Sequence, residues 1–243
     1  MQLSIRLEAI LQQIRPGRVL ADIGTDHGYL PVELIRRGVC DQALACDVRS
    51  GPLERARAHV TEARLDSRIH LRLSNGFEQI EPGEVDGAIL AGMGGMLIRD
   101  ILLAESRRPK NILRQLEQLV VQPQSDYEAV RRTLHALSFQ IAAESLVIDR
   151  DQYYWILVCR PGQQHFEKDW QYRYGACLPE AGDALLLRYL AEQKEKSETL
   201  LRRLQSEAGR TTGQRCTELT GQIQEIHMVM EEMGYGADAS ADS

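Results

Sequence analysis

The chain has little of what would mark it as secreted, disulfide-stapled or embedded in a membrane. Its five cysteines, Cys40, Cys46, Cys159, Cys177 and Cys216, are odd in number, scattered and without a C-x-x-C pair. That pattern excludes a disulfide framework and carries no zinc signature, so no metal is expected. No run approaches the roughly eighteen apolar residues of a membrane span, and the opening MQLSIRLEAI is amphipathic without the apolar core of a secretory signal. A cytoplasmic location is expected. Positive charge is also in short supply: the net charge is -6 and the pI about 5.6, which argues against coating nucleic acid by bulk electrostatics but leaves room for a local basic patch. Most of the acidity lies late in the chain, with 20 basic and 21 acidic residues up to Arg160 and 9 against 14 beyond it.

What is present is an alternation. The 243 residues, 43% of them hydrophobic, suffice for one substantial core and an accessory piece. From residue 18 to about 137, strand-like runs alternate with helical patterns. RVLADI leads into a helix over about 28–37, ALACDV into one over about 52–64, and IHLRL is followed by VDGAILAG with the helical GMLIRDILL. EQLVVQP then precedes SDYEAVRRTLHAL. This is the βα alternation of a parallel sheet. FQIAAESLVID and YYWILVCR come next, separated only by Arg150-Asp151-Gln152, a connection that permits a hairpin and forbids a parallel crossover. A parallel sheet closed by an antiparallel last strand is the layout of the Rossmann-like class I S-adenosylmethionine-dependent methyltransferases, and that fold is expected over residues 1–160.

Residues 161–182, with two prolines and clustered aromatics, read as a linker. Beyond them Leu186, Leu190, Gln193, Ser197, Leu200 and Leu204 step with heptad spacing, as do Cys216, Leu219, Ile223, Ile226, Met230 and Met233. Each seam is too short to persist alone, so an antiparallel helical hairpin, a short coiled coil, is expected over 183–233. Residues 234–243, small, polar and acidic, are expected to be disordered.

The functional signal is a set of turns at strand ends. Asp22 is followed by Gly24-Thr25-Asp26-His27-Gly28, where a glycine bend lets backbone amides and a helix N-terminus approach a ligand. Asp47 ends the next strand, about twenty residues on, where a carboxylate can accept both hydrogen bonds of a ribose diol. Asn75, in the turn Ser74-Asn75-Gly76-Phe77, can pair with an adenine edge, and the small residues of Ala91-Gly92-Met93-Gly94-Gly95 leave room at a transferred methyl group. All four lie where open α/β sheets bind ligands.

RLEAILQQIRPGRVLADIGTDHGYLPVELI, ACDVRSGPLERA, AGMGG and VVQPQ together resemble the bacterial tRNA adenine-22 N1-methyltransferase family, over essentially the whole chain. The resemblance implies S-adenosylmethionine as cofactor, held at Asp22, Gly24, Gly28, Asp47, Gly76 and Gly92, with Thr25, His27, Val48, Asn75 and Ala91 beside them. It implies tRNA as the partner, and no obligate protein partner is evident. Asn75 replaces a more usual acid, and Arg49 stands where such proteins more often carry Asn. Adenine N1 has an in-plane lone pair and needs no deprotonation before attack, which leaves alignment, desolvation and disposal of positive charge to the protein. Asp26 is the candidate catalytic residue for that charge; capping of the helix near Gly28, or a grip on the cofactor's amino group, are its alternative roles. Arg6, Tyr29, Met93, Gln122, Pro123 and Tyr153 are candidate tRNA-contacting residues. Tyr153 and Tyr154 alternate along a strand and so face opposite ways. Arg6, Arg15, Arg18, Arg36, Arg37, Arg107, Arg108, Lys110 and Arg114 are candidates for a phosphate-binding rim. A non-catalytic nucleoside-pocket protein that recruits a partner through its hairpin, and a methyltransferase acting on another RNA base, are the competing readings.

Overall fold

A computed structural model describes residues 3–206 and 212–235, and the chain divides after Phe166 into two compact units. The first unit opens with helix α1 (Ile5–Gln13), whose cap Ser4 accepts a hydrogen bond from the Leu7 amide on its hydroxyl, 3.3 Å away. Then come β1 (Gly17–Ile23), α2 (Tyr29–Arg36), β2 (Cys40–Asp47), α3 (Ser50–Glu62), β3 (Ile69–Leu73), β4 (Gly87–Met93), α4 (Gly95–Ser106), β5 (Gln118–Pro123), α5 (Tyr127–Ala136), β6 (Phe139–Asp149) and β7 (Gln152–Pro161). The strands form one seven-stranded sheet in the order β3-β2-β1-β4-β5-β7-β6.

Strands β1 to β5 pair in parallel, while β7 runs antiparallel to both its neighbours, as the short connection required. Arg150 and Asp151 form that connection with φ of 50° and 61°, the two left-handed residues of a tight turn matched to strand twist. The central strands are buried on both faces: Val19 to Ile23 of β1 and all of β5 are sequestered, which is why they read as continuous apolar runs. Asp22 is carried into that layer by its neighbours.

The chain order reverses between β1 and β4, so the carboxyl ends of these two strands open onto a crevice. β4 runs one residue past the VDGAILAG read from the sequence, through Met93, and its register shifts between Ala91 and Met93, so the start of the expected turn is a β-bulge built on Gly92 with φ of 76°. Gly95 begins α4 so close to the next loop that a Cβ there would lie 2.2 Å from the Ser125 carbonyl oxygen.

In the second unit the stretch read as a linker is folded. α6 (Asp169–Tyr174) and α7 (Cys177–Glu180) bury Trp170, Tyr172, Tyr174 and Leu178, because aromatic side chains clustered this densely find a core of their own. α8 (Ala184–Ser206) packs along α9 (Thr212–Glu232), and Arg173 of α6 reaches Glu225 of α9 at 2.6 Å. Two seam positions differ from the heptad reading. Leu200 is 37% exposed while Leu201 turns partly inward, and Val229 rather than Met230 is buried, since straight helices drift against a 3.5-residue repeat. Most of the turn between the helices and most of the proposed disordered tail lie outside the described residues.

Candidate active site

The turn after β1 uses its amides within the protein. Gly24 N and Thr25 N both donate to the Cys46 carbonyl of β2, at 2.8 and 2.9 Å, and Gly28 N donates to the Thr25 carbonyl at 3.0 Å. Asp26 N donates to Asp47 Oδ2 at 3.4 Å. These four amides are therefore not an anion cradle, which corrects the expectation that they would approach a ligand. Gly28 is needed for packing: with φ of 69°, a Cβ there would lie 3.2 Å from that of Ala56 on α3. It caps α2 without any side-chain cap, so Asp26 does not serve as the helix cap.

The two strand-end acids differ in their surroundings. Asp22 is 3% exposed, and burial pushes its carboxyl up to about 7, with the nearby Thr25 hydroxyl opposing and the Asp47 charge adding to the rise. Asp47 is held from both sides, its Oδ1 accepting from Arg49 N at 2.9 Å and its Oδ2 from Asp26 N. Arg49 thus contributes its backbone here, and any residue but proline could do so in that place.

A cavity of about 370 Å³ opens beside Asp22. Gly24, Thr25, Asp26, His27 and Tyr29 form one wall, Ala91 and Gly92 another, and Arg6, Asp149, Arg150 and Tyr154 the side opposite the turn. Arg6 is fixed by a bond from Nη1 to Gln122 Oε1 at 2.6 Å and lies over the Tyr154 ring at 5.4 Å. Gln122, wholly buried, also accepts from Gly92 N at 3.1 Å, so one amide oxygen ties α1 to the bulge. Met93 lies over the turn, its Cε 2.8 Å from where a Gly24 Cβ would stand, and Pro123 pairs with Met93 in the sheet. Neither lines the cavity directly. Of the two tyrosines, Tyr154 faces the cavity and Tyr153 does not; Tyr153 instead accepts through its carbonyl from the Tyr127 hydroxyl. This corrects the choice of Tyr153, since alternation fixes opposite faces but not which face meets the site.

Asp26 stands at the cavity's edge in the left-handed region with φ of 48°, half exposed. Its Oδ1 accepts from Arg55 Nη2 at 2.7 Å and its Oδ2 lies 3.5 Å from His27 Nε2. His27 stacks on Tyr29 with ring centres 5.3 Å apart, and Tyr29 meets His59 edge-on at 4.9 Å. Arg55 and His59, four residues apart on α3, face this turn together; Arg55 was not among the sequence candidates, and its i, i+4 spacing with His59 in RARAH was the available signal.

Asn75 lies elsewhere. It donates to Glu78 at 3.0 Å and lines a second cavity of about 280 Å³ with Leu97 and Ile101. Gly76, with φ of 60°, lets the chain approach Ile101 within 2.8 Å of where a Cβ would stand. Val48 and Leu97 present apolar surface at 60% and 53% exposure. The proposed basic rim is largely neutralised: Arg18 pairs with Asp86, Arg36 with Glu33, Arg37 with Glu8 and Glu33, Arg108 with Glu105, and Lys110 with Glu81. Arg15, Arg107 and Arg114 have no acidic partner among the described residues. No group of His, Cys, Asp or Glu among those residues is arranged to hold a metal ion.

The comparisons with known proteins agree with this geometry. A family model for the tRNA (adenine(22)-N(1))-methyltransferase TrmK matches residues 20–228. The Bacillus subtilis tRNA (adenine(22)-N(1))-methyltransferase is 34% identical over 164 residues, 68% of this chain and 67% of that protein. Streptococcus pneumoniae Sp1610 has a TM-score of 0.86 at 31% identity, covering 94% of this chain and 100% of that one. The same protein in complex with S-adenosyl-L-methionine gives a TM-score of 0.83. The chain belongs to the tRNA (adenine(22)-N(1))-methyltransferase family.

Proposed function

We propose that the cavity beside Asp22 is where this chain transfers a methyl group from S-adenosylmethionine to N1 of adenine 22 in tRNA. The observation that carries this assignment is the meeting, at one sheet edge, of a buried carboxylate, a carboxylate held by two amides, and a glycine bulge. Each suits one part of the cofactor. Asp22, desolvated and close to neutral, gains most from a cation and so receives the methionine ammonium. Asp47, preset by Arg49 N and Asp26 N, retains lone pairs for the ribose diol. Val48 and, in the second cavity beside Asn75, Leu97 offer apolar faces to the adenine ring.

When bound, the cofactor supplies a methyl group on a sulfonium, ready for displacement. Adenine N1 lies on the pairing edge, so the target base must leave its stack to be reached. In this reading Gly92, without a Cβ, makes room for the Arg6 guanidinium, which, anchored on Gln122, sets a wall of the cavity. Tyr29 and Tyr154 hold the extruded base between aromatic faces. Asp26 accepts from the N6 amine and stabilises the positive charge that develops on the ring. No metal and no obligate protein partner enter this scheme, and we place it in the cytoplasm; no described helix is long and apolar enough to cross a membrane.

The test is incubation with the cofactor and unmodified tRNA, nuclease digestion and mass spectrometry. 1-Methyladenosine in the fragment bearing position 22 is the expected product. Cofactor binding without any methylated base would return the chain to a binding role, and methylation of another base would reassign the substrate.

A further inference from the structure

The Asp26 carboxylate, placed above at the reacting base, is already engaged. Its Oδ1 holds Arg55 at 2.7 Å and its Oδ2 lies 3.5 Å from His27, so the carboxylate keeps lone pairs for an adenine amine but shares its charge with the guanidinium. The pair is built to exchange. Both side chains are about half exposed, 50% for Arg55 and 53% for Asp26, and an ion pair this open is held only weakly. Arg55 is on α3 and is not among the residues lining the cavity. No other acid among the described residues pairs with it. A guanidinium fork matches a phosphate diester as well as it matches a carboxylate, and a nucleotide turned out of a tRNA stack brings its phosphates with it.

We propose that Arg55 is a backbone-phosphate ligand for the target nucleotide, and that the phosphate takes the place of Asp26 on Arg55 as the base enters. The exchange leaves the Asp26 charge undivided for the N6 amine at the moment RNA is seated. It makes Arg55 a determinant of preference for a polynucleotide over a free nucleoside, and it rests on the reading of Asp26 given above.

The experiment uses the full chain with Arg55→Ala, Arg55→Lys and Asp26→Asn, measuring kcat and KM for tRNA across a salt series and the cofactor Kd by calorimetry. Arg55→Ala should raise KM for tRNA by roughly 3- to 10-fold, lower kcat by less than that, leave the cofactor Kd in place, and reduce the salt slope of tRNA affinity by about one. Arg55→Lys should keep the slope, since it keeps the charge, and recover part of the KM. Unchanged KM and slope in Arg55→Ala would overturn the proposal, as would a large kcat loss at constant KM, which would make Arg55 a brace for Asp26. Asp26→Asn addresses the underlying reading separately: normal turnover there removes Asp26 from the chemistry while the Arg55 salt slope still decides the phosphate contact.

Discussion

Replacing Asp22 by asparagine should make the free protein more stable at alkaline pH while costing it its cofactor. Asp22 is 3% exposed and its carboxyl is raised from 3.8 to about 7 by burial. At 1.36 kcal/mol per unit, a rise of about three units disfavours the charged form by about 4 kcal/mol. Because the folded chain holds this proton more tightly than the unfolded chain, the contribution to stability is complete below about pH 4 and is lost as pH rises through 7. At pH 8 the buried charge therefore opposes folding. Asp22→Asn removes the charge and should raise stability there by about 1–4 kcal/mol, the lower figure allowing for an amide with imperfect partners. At about 2–4 °C per kcal/mol for a chain of this size, the gain is easily read in a thermal melt.

The assay is a set of melts at pH 5 and pH 8, with and without S-adenosylmethionine. The variant should gain over the wild type at pH 8, gain less at pH 5 where the folded acid is protonated and only the unfolded chain ionises, and lose most of the ligand-induced stabilisation. In wild-type calorimetry at pH 6, binding should release about one proton as the ligand's cation drives Asp22 to ionise, seen as a dependence on buffer ionisation enthalpy. A variant no more stable than wild type at pH 8, or equally stabilised at both pH values, would refute the account of a buried charge reserved for a cation.

Three further outcomes follow from the same geometry. Asp47→Ala should weaken cofactor binding by about 1–3 kcal/mol, because the ribose hydroxyls lose a charged acceptor, and calorimetry showing unchanged affinity would remove Asp47 from the site. Gly95→Ala should destabilise the first unit by about 2 kcal/mol or more, since its methyl would meet the Ser125 carbonyl at 2.2 Å, and a wild-type urea midpoint would contradict that approach. Glu144→Gln should cost about 3–5 kcal/mol, because Arg131 and Glu144 form a fully buried ion pair at 2.8 Å and the guanidinium would keep its charge without the carboxylate; an unaltered melt would show that other groups carry it.

The parts of the fold readable from sequence were those set by local pattern. Alternation of apolar runs with helical stretches gave the parallel strands, and the two-residue step at Arg150-Asp151 forced the reversal of β7. Asp22 and Asp47 were legible because strand ends in such sheets gather at one edge. What escaped depended on distant contacts. Arg6 meets Gln122 across 116 positions and Asp26 meets Arg55 across 29, and no spacing rule connects them. The stretch around Trp170 and Tyr174 reads as a linker because its prolines and glycines break periodicity, while its burial comes from packing within the second unit. The Gly92 bulge hid for a related reason: AGMGG is rich in glycine, and only pairing with Gln122 and Pro123 shows that the strand continues through it.

The turn GTDHG then has a physical logic that distinguishes it from the glycine loops it resembles. A dinucleotide site offers free amides and a helix N-terminus to an anionic pyrophosphate. Here Gly24, Thr25, Asp26 and Gly28 have already given their amides to protein acceptors, and the edge carries Asp22, Asp26 and Asp47 instead. Those are the groups for a cofactor bearing an ammonium and a sulfonium. Methyl transfer moves the sulfonium's charge onto the adenine ring without changing the total, so the proposed scheme puts carboxylates at both ends of the path, Asp22 at the amino-acid end and Asp26 at the base. An acidic chain can therefore act on a polyanion without contradiction, because its carboxylates serve the cationic reaction centre and only a few arginines such as Arg55 need face the phosphates.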